Sequence, residues 1–105
     1  MAKCKIDLKA MEWTRPANGV RSKVYTDGTR QLRLVEFSKG FVEPAWCLKG
    51  HVGYVLEGGA ELELEDENVT FGLGDGIFIH AGEEHKHKLT VLTDVFRVVL
   101  VEDAG

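Results

Sequence analysis

The sequence predicts an all-β domain closed into a small barrel. Three observations carry that expectation. Apolar and polar residues alternate with period two, as on a strand with one wet face. Turn signals recur at roughly the 8–12-residue spacing of sandwiches and barrels. No segment combines a helical period with helix caps.

Residues 60–65 give the clearest alternation, with Leu62 and Leu64 on one face and Glu61, Glu63 and Glu65 on the other. Residues 30–37 alternate at first and then become more apolar, which reads as a second strand. Residues 53–56 and 76–79 are short apolar runs bounded by glycine, the pattern of buried strands. Residues 95–101 form the longest apolar run, and its β-branched content favours strand over helix. Residues 6–13 offer the best case for a helical turn but are read as an edge strand or extended arm. Asn18-Gly19, Asp27-Gly28, Lys39-Gly40, Lys49-Gly50, Gly58-Gly59 and Ala81-Gly82 supply the punctuation. A chain of this kind avoids open sheet edges by closing on itself.

The 105 residues make one domain. The net charge of −4, with scattered cations, argues against a nucleic-acid partner. No apolar run approaches the roughly 18 residues of a membrane helix, so no membrane partner is expected. The polar start, Met1 to Lys5 followed by Asp7 and Lys9, does not read as a signal peptide, and the expectation is a cytoplasmic protein. Cys4 and Cys47 are then expected to be independent thiols.

Four histidines are present, three of them within eight positions: His80, His85 and His87, with His51 upstream. On a strand His85 and His87 would face the same side, and imidazole is the commonest protein metal ligand.

The stretch from Gly74 to His85 resembles the second motif of the cupin superfamily: a glycine, a proline position taken here by His80, the glycine Gly82 and the metal-binding histidine His85. Leu89 stands where asparagine is frequent. Upstream, His51 to Gly58 resembles the end of the first cupin motif, with His51 in place of its glutamate and Gly58 in place. The resemblance spans residues 40–101 and implies a single-domain cupin-type barrel, a double-stranded β-helix or jelly roll. Residues 1–20 would be an N-terminal arm or edge strand. It also implies that both motifs line one mouth, and a homodimer.

The two histidines that normally precede the glutamate fall on Pro44 and Trp46 under one family spacing and on Ala45 and Cys47 under the other. The resemblance therefore implies a metal set of His51, His85 and Cys47, with His87 able to replace Cys47. Without the carboxylate, such a set suits zinc better than iron, manganese or nickel, with a fourth position open to water or substrate. Cys47 could equally be a small buried thiol. Trp46 and Tyr54 are candidates for a ligand wall, or plain core. Glu43 is a spare carboxylate near the same mouth. Glu36 and Arg97 interrupt apolar strands and are read as solvent-facing. The expected function is a barrel that binds a small polar metabolite through a divalent metal. The alternative is a metal-dependent isomerase, lyase or oxygenase.

Overall fold

The computed structural model describes residues 4–104; residues 1–3 of the segment weighed as a signal peptide lie outside them. Among the described residues, nine strands form two antiparallel sheets. They are β1 (Thr14–Ala17), β2 (Val20–Asp27), β3 (Arg30–Ser38), β4 (His51–Glu57), β5 (Ala60–Leu64), β6 (Asn68–Phe71), β7 (Gly76–Ile79), β8 (His87–Val91) and β9 (Val95–Asp103). The larger sheet has the order β1-β2-β3-β9-β4-β7, and the smaller β6-β5-β8. Single bridges from Val42 to Thr90 and from Cys47 to His87 lay residues 42–47 along the free side of β8.

The alternation sets which residues meet. Val35, Val98 and Val55 lie across from one another on β3, β9 and β4 and are almost fully buried. They face Ala60, Leu62, Leu89 and Val91 of the smaller sheet, which complete the core. Strands form at 30–37, 53–56, 60–64, 76–79 and 95–101, but 53–56 and 76–79 are not the buried strands expected: each has one exposed face, carrying Tyr54 and Leu56 on β4 and Phe78 on β7. The expected arm differs. It carries a 3-10 turn at Leu8–Ala10, and the edge strand begins only at Thr14. Lys23 Nζ donates to the Leu8 carbonyl, and Trp13 stacks under Arg21, so the arm is tied to β2.

Two glycines of the motifs have a physical reason. Gly58 has φ +78, and a Cβ there would meet the Val95 carbonyl oxygen at 1.9 Å. Gly82 has φ +118, a region closed to most L side chains, and leads into the 3-10 turn Glu83–His85. No helix among the described residues is long and apolar enough to cross a membrane. Cys4 is exposed, and both cysteines are free thiols.

Glu36 and Arg97 share the outward face of the large sheet, but Glu36 is buried there. Arg21 and Arg97 both hold its carboxylate, at 2.7 and 2.6 Å.

Candidate metal centre

Three donor side chains converge at one end of the barrel. Cys47 and His87 are antiparallel partners: the Cys47 amide donates to the His87 carbonyl at 2.8 Å, and the His87 amide returns the bond at 3.1 Å. This pairing sets the two side chains beside each other. His51, the first residue of β4, enters from the larger sheet. One ligand atom from each of the three lies within 4.8 Å of the others. Cys47 Sγ is 3.7 Å from His51 Nε2.

The far side of each imidazole is already engaged. His51 Nδ1 donates to the Glu102 carboxylate. His87 Nδ1 donates to the His85 carbonyl at 3.0 Å. A proton held on each Nδ1 leaves each Nε2 as the atom that would bind a metal, the arrangement that orients metal-bound histidines. Tetrahedral zinc, with bonds of about 2.3 Å to sulfur and 2.0 Å to nitrogen, separates such donors by about 3.5 Å. The Sγ–Nε2 spacing therefore fits zinc with almost no movement. Cys47, His51 and His87 form a group able to hold a metal ion.

The electrostatics agree. Hydrogen bonds from His51 and then His87 lower the Cys47 thiol to about 5, against the cost of burial. Burial opposes the charged form of His51, yet the bonds to Cys47 and Glu102 prevail and raise it to about 9. Burial also opposes ionisation of Glu102, but His51 and Arg33 together hold its carboxylate down at about 2. Without a metal the cluster is a thiolate–imidazolium pair anchored by a carboxylate. The thiolate is the ligand form of cysteine, so a cation entering the cluster need only displace the proton on His51.

The donors open onto a cavity of about 360 Å³ between the two sheets. Glu43 lines it, and its carboxylate accepts the Leu89 amide at 2.9 Å. Burial, then the neighbouring Cys47, pushes its pKa upward.

No family model and no curated protein matches the sequence. Solved structures do match the fold. The chain is similar to the polyketide cyclase RemF from Streptomyces resistomycificus, with a TM-score of 0.79, 23% identity, and coverage of 100% of this chain and 81% of that one. It is similar to KdgF from Halomonas sp., with a TM-score of 0.76, 22% identity, and coverage of 98% and 94%. It is also similar to a sugar phosphate isomerase of the cupin superfamily from Silicibacter pomeroyi, with a TM-score of 0.75, 19% identity, and coverage of 96% and 76%. The chain has the cupin fold.

Against the expected cupin set, three candidates need correction. His85 is not brought to His51. It ends the 3-10 turn, is exposed, and its ring lies 5.2 Å from that of His80. The shared face expected for His85 and His87 fails because β8 begins only at His87. Trp46 is one residue from the inward Cys47, so alternation turns it out, where Lys86 and Lys88 lie over its ring. Tyr54 lies between the inward Gly53 and Val55 and is 47% exposed on the outer face. Glu43 does reach the cupin cavity, and Cys47, His51 and His87 gather at its rim.

Glu102 is the residue that sequence reasoning missed. Its signal was the β9 alternation: Phe96, Val98 and Leu100 point inward, so Glu102 does too.

Proposed function

We propose that this cupin barrel holds a divalent metal, with zinc preferred, on Cys47, His51 and His87, and binds a small molecule at the remaining position. One observation carries the proposal: the three donors converge while both Nδ1 atoms are held by acceptors behind them. One thiolate and two neutral imidazoles favour zinc over harder ions. When bound, zinc supplies a Lewis acid with an open coordination position. Glu102 keeps the His51 ring oriented, and Glu43 stands in the cavity as a carboxyl able to give or take a proton.

The test is elemental analysis of untagged protein, before and after reconstitution with zinc. One equivalent per chain, lost in His87→Ala, is expected. No metal after reconstitution would remove the proposed centre.

A second reading, a metal-dependent enzyme of isomerase or lyase type, draws on Glu43. A half-buried carboxyl with a raised pKa beside a donor set has the form of a catalytic acid or base. Loss of turnover in Glu43→Gln with zinc retained would support it. A binding protein would keep both zinc and ligand in that variant.

We also propose a homodimer. Val52, Tyr54, Phe78 and Val101 are exposed neighbours on the outer face of β4, β7 and β9, an apolar patch of the kind that supports a contact between copies of the chain. Sedimentation should give a dimer for the wild type and a monomer for Phe78→Lys.

A further inference from the structure

The cavity is polar at one end only. Strand register places His51 opposite Ile79, and His87 opposite Leu64, at the end where Glu102 also lies. Arg33, Glu43 and Lys49 complete the polar lining. Towards the other end, the walls are Val20, Val35, Phe37, Phe71, Phe96 and Val98. None of these side chains can make a hydrogen bond. The space is open to solvent and has a volume of about 360 Å³. That volume falls within the roughly 300–1,000 Å³ of small-molecule sites.

We propose that the barrel takes a compact apolar ring compound with an anionic oxygen at one end. Its ring body lies between the two sheets, and its oxygen turns towards Cys47, His51 and His87. The body follows from the cavity walls alone; the head rests on the metal reading. A polyhydroxylated ligand is disfavoured, because each hydroxyl set against Val35, Phe96 or Val98 would lose its water partners and gain none. The anionic head follows from net charge: the metal–thiolate unit and Lys49 contribute one positive charge each, and Glu43, which lines the same end, offsets at most one of them. A divalent ion with one thiolate keeps one positive charge. Arg33 is occupied by Glu102, at 2.6 and 3.2 Å. Lys49 has no ion-pair partner among the described residues and lines the same end.

The experiment is calorimetric titration of the zinc-loaded and the metal-free protein with 2-naphthoate and with gluconate, which carry the same carboxylate on opposite bodies. Naphthoate should bind at least about tenfold tighter than gluconate in both forms, as expected when apolar area is buried. Val98→Phe, or the milder Leu62→Phe if the first does not fold, should weaken naphthoate at least about tenfold by filling the cavity, with zinc content unchanged. Gluconate binding as tightly as naphthoate, or naphthoate binding untouched in the filled variant, overturns the apolar body. Zinc failing to bind overturns the centre instead, and the metal-free titration still decides the body. Equal naphthoate affinity with and without zinc overturns the placement of the head.

Discussion

Among the described residues, two charge clusters are built on buried carboxylates, Glu36 and Glu102, and they end differently. On the outer face, Glu36 is clamped by Arg21 and Arg97, and Arg97 also reaches Glu57 at 2.7 Å. These residues are register neighbours across β2, β3, β9 and β4, so each charge meets its opposite on the same row. At the barrel end, Glu102 binds His51 and Arg33 from behind, but Cys47 Sγ and the two Nε2 atoms still face the cavity. The first cluster uses its bonding capacity within the sheet. The second is organised to turn three ligand atoms towards one point. A charge cluster is a candidate site when its geometry leaves donors over, and burial alone does not distinguish the two.

The sharpest break of this contrast is His87→Ala. Zinc affinity should fall more than about 100-fold in chelator competition, beyond the loss typical of an outer partner. His85→Ala should leave zinc affinity unchanged, because His85 supports His87 through its backbone carbonyl. Next is Glu36→Ala, which leaves Arg21 and Arg97 facing each other. Denaturant unfolding should show a loss of about 2 kcal/mol, below the value for fully buried pairs because both arginines are one-third exposed. Zinc affinity should not move. Third is Glu102→Gln, which weakens the acceptor behind His51 and should cost roughly tenfold in zinc affinity.

The smallest effect is the pH dependence of the metal-free protein. Cys47 is depressed to about 5, so its contribution is present above its unfolded pKa, near 8.5, and is lost as pH falls through 5. His51 is raised to about 9, so its contribution is present below its unfolded pKa, near 6.5, and is lost as pH rises through 9. Between about 6.5 and 8.5 the two slopes oppose each other, because folding only moves the proton from sulfur to nitrogen. Unfolding free energies measured across pH should rise from 5 to about 6.5 and flatten to about 8.5. They should then decline. In Cys47→Ser the flat region should become a decline starting near 6.5, while Glu102 still holds His51. A flat profile persisting in that variant would break the proposed coupling.

Much of the architecture was legible. The alternation at 60–65 and the short apolar runs bounded by glycine are local signals, and the strands form where they stand. β2, β6 and β8 were not singled out, since charged and polar residues dilute their pattern: Lys23, Asn68 and Lys88 sit on them. The site was only partly legible. Cys47 and His51 lie at motif positions, but His85 matches the motif by spacing and is carried away by a 3-10 turn. Spacing along the chain does not report where a turn ends and a strand begins, and a shift of one residue reverses the facing of a side chain. Trp46 and Tyr54 fell on the outer face for the same reason.

The sequence by itself determined that this chain forms short strands separated by glycine-marked turns, and that cysteine, histidine and carboxylate donors lie near those turns. Those features depend on period-two patterning and on glycines such as Gly58 and Gly82 that few other residues could replace. Only the tertiary structure decided which donors meet. Cys47 and His87 lie 40 residues apart and are joined by two backbone hydrogen bonds, and His51 and Glu102 lie 51 apart on neighbouring strands of one sheet. Such meetings are set by pairing and register between distant strands, which depend on the packing of both sheets together rather than on any local stretch.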